Sequence, residues 1–243
     1  MRSTLSLTAL IAFSTCLTAQ PKRPVAEFST SAGPVRITPI HHASLMMEAG
    51  GQVIQIDPAL QAANYEGLPQ ADVILITDIH GDHMDPKAVE KVKKSGTLVL
   101  EPKAVLDKGI EGTVLNNGES KAVGKWTIEA IPMYNLTRGP AEGKLFHDKG
   151  RGNGYVITYG GKRFYMAGDT EGIPEMRALK NIDVAFIPMN LPYTMTPEEA
   201  ADAVRAFAPK VVFPYHYQKS DVNAFKKALA DTKIDVRLVD WYY

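Results

Sequence analysis

The sequence predicts an α/β protein of the αββα type, a sandwich of two pseudo-repeated halves with its sheets face to face and its helices outside. Three observations lead there. Two hairpins turn on Gly-Gly pairs, Gly50-Gly51 and Gly160-Gly161. Each is followed by a short apolar run opening on aspartate, residues 72–77 (DVILIT) and 183–187 (DVAFI). Landmarks also recur at one lag: Asp72 and Asp183, Met84 and Met195, and Pro86 and Pro197 each stand 111 positions apart. Two β-rich halves with helices after their strands bury their sheets against each other and leave the helices outside.

In the first half, residues 35–40 read as a strand leading into His41-His42-Ala43. A hairpin of residues 45–49 and 52–56 then ends at Asp57-Pro58. Residues 72–77 suit a strand covered on both faces. A helix from Pro86 to about Lys94 follows, with proline at its first position, and then a strand over 97–100. The second half repeats this order. An apolar run covers 128–134, and a hairpin of residues 155–159 and 162–167 ends at Gly168-Asp169. A strand over 183–187, a helix opened by the capping box Thr196-Pro197-Glu198-Glu199 and a strand over 211–213 complete it.

With 243 residues and 45% hydrophobic content the chain can bury a full core, and residues 34–243 are expected to form one domain. Lys plus Arg equals Asp plus Glu at 27 each, so no net field draws nucleic acid or an anionic membrane. Residues 1–19 have the pattern of a secretory signal peptide cut after Ala19, followed by a polar linker over 20–33, which places the mature protein in the periplasm or outside the cell. The single cysteine, Cys16, lies in that leader, so the mature chain has no thiol. A lipoprotein anchor at Cys16 is the weaker alternative, because Phe13-Ser14-Thr15 is a poor match to the small residues such anchors require. No later segment approaches membrane-spanning length.

The chemistry concentrates in residues 77–86, TDIHGDHMDP, where Asp78, His80, Asp82, His83 and Asp85 fall directly after an apolar run. Burying so many ionisable groups is costly unless a cation or an extensive hydrogen-bond network satisfies them. In extended backbone Asp78 and His80 point to one side, and a bend at Gly81 turns Asp82 and His83 back towards the same point, a spacing that suits two metals. The plain alternative is a solvated acidic turn capping the helix at Pro86. An EF-hand is a poor fit, since His83 and Val89 stand where its loop needs Gly and Glu. At the matching place the second half has Leu191-Pro192-Tyr193-Thr194, so the fold itself does not need the cluster.

These residues resemble the metallo-β-lactamase superfamily, whose signature is H-x-H-x-D-H, a distant His, an Asp in a Gly-Asp-Thr context and a final His. The resemblance covers residues 35–243. Within the superfamily it is greatest to a small branch containing ascorbate-6-phosphate lactonase and the phospholipase D type enzymes of N-acyl lipids. It is carried by the cluster and by His42-Ala43-Ser44, Ile56-Asp57-Pro58, Gly168-Asp169-Thr170 and Pro214-Tyr215-His216. It implies two divalent metal ions, zinc or manganese, with iron a further option: His80 on the first, Asp82, His83 and His216 on the second, and Asp169 bridging both. Asp78 replaces the usual first His. Its harder oxygen donor either keeps a first metal with a preference for manganese or iron, or weakens that site. The remaining His is His147; Asn135 occupies a place where related enzymes can have the ligand, but is a weaker donor.

His42 is expected to line the site floor and Asp57 to accept a hydrogen bond that fixes a ligand His. Tyr193, Tyr215 and Tyr217 are candidates for the pocket wall, with at least one in ordinary packing. The expected function is an exported metal-dependent hydrolase in which a hydroxide shared by the two metals attacks an ester, lactone or phosphodiester of a small molecule or lipid, with Asp82 and His83 as the catalytic residues and Asp82 primarily a ligand. The alternative is a non-catalytic metal- or ligand-binding protein on the same fold. Gly-x-Ser-x-Gly is absent, so no serine or cysteine nucleophile is expected.

Overall fold

The computed structural model describes residues 23–60 and 63–242. The leader over 1–19, with Cys16, lies outside the described residues. The first sheet takes its strands in chain order: β1 (Ala26–Phe28), β2 (Val35–His41), β3 (Ser44–Ala49), β4 (Gln52–Ile56), β5 (Ala71–Leu75), β6 (Lys93–Glu101) and β7 (Thr113–Val114). Helix α1 (Pro86–Val92) joins β5 to β6, and α2 (Lys103–Leu106) joins β6 to β7.

The second sheet takes β8 (Ser120–Val123), β9 (Trp126–Met133), β10 (Gly152–Tyr159), β11 (Lys162–Met166), β12 (Val184–Pro188), β13 (Val211–Tyr215) and β14 (Asp235–Val236), again in order. Its helices are α3 (Pro174–Arg177), α4 (Pro197–Phe207) and α5 (Val222–Ala228). In each sheet four antiparallel strands lead into parallel pairings, from β4 onward in the first and from β11 onward in the second.

Three apolar layers hold this together. The central one joins the inner faces of the two sheets, with Ile37, Leu45, Ile54 and Leu75 packed with Ile128, Ile157, Phe164 and Phe213. The outer layers seat α1 on Ile74 and Val99 through Ala88, Val89 and Val92, and α4 on Tyr165 and Ala185 through Ala200, Val204 and Phe207. Burying each large apolar side chain contributes about 1.5–3 kcal/mol, which is why β5 and β12, apolar on both faces, run through the middle of their sheets. Both Gly-Gly turns have two consecutive left-handed residues, φ 58° and 78° in one and 51° and 80° in the other, the conformation that two-residue hairpins need.

Two boundaries differ from the sequence reading. The expected linker over 20–33 contributes β1, because Phe28 gains burial against Phe164 and Phe213. Helix α1 stops at Val92, since Lys93 is already extended (φ −78°, ψ 154°), and β6 begins there rather than at Thr97.

Candidate metal centre

The candidate residues converge at the carboxyl ends of the parallel strands, where open α/β sheets usually place ligand sites. His83 enters on the loop after β5 and is fully buried. Its Nδ1 lies 2.8 Å from Asp57 Oδ2 and 2.9 Å from Thr77 Oγ1, while Thr77 donates its backbone N–H (2.7 Å) and hydroxyl (2.6 Å) to the same carboxylate. An acceptor behind Nδ1 keeps the proton there and turns the Nε2 lone pair into the site. Among the described residues that Nε2 has no hydrogen-bond partner, and it lies 3.3 Å from Asp169 Oδ2 and 3.8 Å from Asp82 Oδ2.

Asp169 follows Gly168 (φ +67°), where a Cβ would stand 2.6 Å from Met133 Sδ, so only glycine lets the chain deliver the carboxylate here. His216, after β13, points Nε2 at Asp82 Oδ2 (3.1 Å) and Asp169 Oδ1 (3.5 Å) and stacks on His83 at 5.1 Å. His42, after β2, lies over His216 at 3.8 Å, with Nε2 3.1 Å from Asp82 Oδ2 and Nδ1 2.8 Å from the Tyr242 hydroxyl. His42, Asp57 and His216 all have left-handed backbone, φ 53°, 47° and 48°. Such geometry costs on the order of 1–3 kcal/mol per residue and is characteristic of functional sites.

A second group adjoins the first through Asp169, whose Oδ2 is also 3.2 Å from His147 Nε2. His147 is fully buried, and its Nε2 has no hydrogen-bond partner among the described residues. Asn135 Oδ1 lies 2.7 Å from His147 Nδ1 and accepts the His147 backbone N–H, while its amide group donates to Glu171 and to the Tyr193 carbonyl. Asn135 therefore stands behind a candidate ligand and orients it. Asp78, also fully buried, lies 3.0 Å from His80 Nδ1 and 3.9 Å from His147 Nε2. Its carboxylate is gripped from the other side by Arg151, Nε to Oδ1 at 3.0 Å and Nη2 to Oδ2 at 2.8 Å.

The electrostatics are those of a site built around positive charge. Burial pushes the Asp169 carboxyl up, but His216, His83 and His147 outweigh it and hold it well below the usual range. Burial of Asp82 is likewise outweighed by His83, His216 and His42. Burial lowers His83, yet the carboxylates of Asp169, Asp82 and Asp57 together raise its imidazole well above the ordinary value. A proton and a cation compete for the same Nε2.

The residues fit a divalent cation. His83, Asp169 and His216 can bring one donor atom each within 4.8 Å of the others, as can His42, Asp82 and His216, and Asp78, His80 and His147. The unpartnered buried atoms His83 Nε2, His147 Nε2 and Asp169 Oδ1 all belong to these groups. Nitrogen and carboxylate donors at buried positions without partners are what such an ion satisfies.

Beside Asp82 a cleft of about 430 Å³ is lined by His41, His42, Ser44, Gln218 and Tyr242. The expected tyrosines lie elsewhere. Tyr215 is fully buried in the core between the sheets, Tyr193 packs on Phe146, and Tyr217 supports Tyr242 from behind at 5.0 Å. Sequence reasoning missed Tyr242, Arg151 and the role of Asn135. The cue for Asn135 was its position at the end of an apolar run beside the other candidates; for Arg151 it was its place in the Gly-rich loop that carries His147.

The chain is similar to known proteins in both sequence and fold. A family profile described as "Beta-lactamase superfamily domain" matches residues 36–216. A UPF0173 metal-dependent hydrolase of Pyrococcus abyssi is 30% identical over 81% of this chain and 93% of its own length. One of Thermus thermophilus is 34% identical over 83% and 94%. Among solved structures, a protein from Parabacteroides distasonis described as a candidate metal-dependent hydrolase is 45% identical with a TM-score of 0.85, covering 89% of this chain and 98% of its own. Igni18, a metallo hydrolase of Ignicoccus hospitalis, is 26% identical with a TM-score of 0.71, over 86% and 96%.

Proposed function

The chain belongs to the β-lactamase superfamily and, within it, to the UPF0173 metal-dependent hydrolases, and from that premise we propose that it is an exported hydrolase cleaving an ester, lactone or phosphodiester bond of a small molecule or lipid. The observation that carries this reading is the convergence of buried, unpartnered donors on Asp169, next to an open cleft. A divalent cation bound there supplies a Lewis acid and lowers the pKa of a water into the neutral range.

The chain's own residues do the rest. His83, His216, Asp82 and Asp169 are the donors of the main position, with Asp78, His80 and His147 grouped at the adjoining one. Asp57 and Asn135 hold the tautomers of His83 and His147. Asp82 and His42 face the cleft, where they orient the attacking water and the scissile group, and Tyr242 fixes the His42 ring. Zinc, manganese and iron all suit mixed imidazole and carboxylate donors, and the carboxylates weight the choice towards manganese or iron.

Chelator-treated protein, reloaded with Zn²⁺, Mn²⁺ or Fe²⁺ and offered p-nitrophenyl esters, lactones and bis-p-nitrophenyl phosphate, should regain turnover on at least one bond class. Metal binding without turnover on any of them would favour a binding protein on this fold. Export is tested by N-terminal sequencing of the native protein: a start near Gln20 is expected, and a start at Met1 contradicts it.

A further inference from the structure

The carboxylates of the site divide into two kinds. Among the described residues, the ion-pair partners of Asp82 and Asp169 are all imidazoles. Asp78 alone faces a permanent cation. Arg151 meets both of its oxygens in a bidentate pair, and Nη1 is held in turn by the Phe146 carbonyl at 2.7 Å. The guanidinium is therefore fixed in place, 17% exposed, against a carboxylate that is wholly buried. Bidentate Arg–carboxylate pairs are among the strongest charge-assisted contacts, and a guanidinium does not lose its proton in a protein.

We propose that Arg151 is a built-in charge substitute at the first cation position: by neutralising Asp78 it makes the Asp78–His80–His147 position a weak site, and the protein works with one tightly held cation at His83, Asp169 and His216. This rests on the metal-dependent reading above. With Asp78 neutralised, the first position offers two imidazoles and a share of Asp169, with a fixed positive charge a few ångströms away. Among the described residues, no arginine or lysine pairs with Asp82 or Asp169 at the main position. His80 is also the exposed member of its group, its side chain 42% accessible, so water competes for it. A divalent ion entering the first position meets Arg151 directly behind one of its donors, and so a stronger repulsion than at the main position, whose donors make no contact with that arginine. Arg151 is thus a positioning residue that sets metal stoichiometry.

Metal content separates the possibilities. Stripped full-length protein, titrated with Mn²⁺ and followed by calorimetry and elemental analysis after desalting, should retain about one equivalent. Its Mn²⁺ electron paramagnetic resonance spectrum should be that of an isolated ion, without exchange coupling, at one and at two added equivalents. In Arg151→Met the second equivalent should bind at least about tenfold more tightly than in wild type, as Asp78 becomes free to act as a donor. Two equally tight equivalents with a coupled spectrum in wild type would overturn the proposal. So would loss of a metal in Arg151→Met, which would mean that the arginine supports a ligating Asp78. The wild-type spectrum decides even if that variant does not fold. Absence of any bound metal would instead refute the metal-dependent reading itself.

Discussion

The loop after β5 and the loop after β12 are the same piece of architecture used twice, and among the described residues only the first carries a cluster of His and Asp side chains grouped as metal ligands could be. Both leave the carboxyl end of a buried parallel strand. Both strands are anchored alike: Asp72 accepts from the Val53 N–H (2.8 Å) and pairs with Lys94 (2.7 Å), and Asp183 accepts from the Arg163 N–H (2.9 Å) and pairs with Lys210 (2.8 Å). Both loops enter a helix through a side-chain cap with proline at its start, Asp85 before Pro86 and Thr196 before Pro197. Between these fixed points the first loop buries His83 against Asp57. The second buries Thr194, whose hydroxyl accepts the Asn190 N–H of its own loop at 2.7 Å. The second copy keeps the strands and caps without the ionisable cluster, which is an addition to the first copy alone.

If that is right, making the first loop like the second should remove metal and leave the fold. His83→Thr, the residue of the silent loop, is expected to lower metal affinity by at least about 100-fold and turnover in proportion, because it removes a donor rather than a donor's support. Elemental analysis with circular dichroism checks both halves of the claim; unfolding would show that the first loop is not interchangeable. Asp57→Asn keeps the shape but weakens the acceptor behind His83, and should cost roughly 10–100-fold in metal affinity, read by calorimetry.

The halves also differ where strand pairing aligns Glu101 with Pro214. Leu75 pairs with Leu100 and Phe186 with Phe213, so the next residues correspond. Glu101 is fully buried, neither carboxylate oxygen is hydrogen-bonded among the described residues, and burial raises its pKa from 4.5 to about 7. The folded protein thus keeps a proton that the unfolded chain has already lost. This burden on stability is absent below pH 4.5 and grows as pH rises to about 7. Glu101→Gln should stabilise the protein by about 1–3 kcal/mol at pH 7.5 and flatten stability across that window, measured by urea denaturation at several pH values. The smallest effect is expected at the silent loop's cap: Thr196→Ala should cost about 1 kcal/mol of stability without changing metal content.

Much of this was legible because it is local. The DVILIT and DVAFI strands, the Gly-Gly turns and the capping box declare themselves within a few residues, and the 111-residue lag exposed the silent copy of the loop. The expectation that Asp57 accepts from a histidine of the cluster came from its place directly after β4, beside the strand that delivers the cluster, and Asp57 does lie 2.8 Å from His83 Nδ1. What was hidden depends on contacts between distant parts of the chain. Arg151 meets Asp78 across 73 positions, Tyr242 meets His42 across 200, and no periodicity encodes either pair. Asn135 could be placed near the site, but whether its side chain faces a metal or His147 is decided by the path of the loop between them. Of the three candidate pocket tyrosines at least one was expected in ordinary packing, and Tyr215 is such a residue. Tyr215 alternates inward on β13, into the core between the sheets, so its neighbour His216 and not Tyr215 reaches the site.

The most direct test of the claim that the loop after β5 is the cation-bearing copy is an anomalous difference map, collected at the manganese or zinc absorption edge from crystals of metal-loaded protein. The expected result is one dominant peak coordinated by His83 Nε2, Asp169 and His216 Nε2. A dominant peak away from those three residues, or no peak from protein crystallised with excess metal, would contradict it.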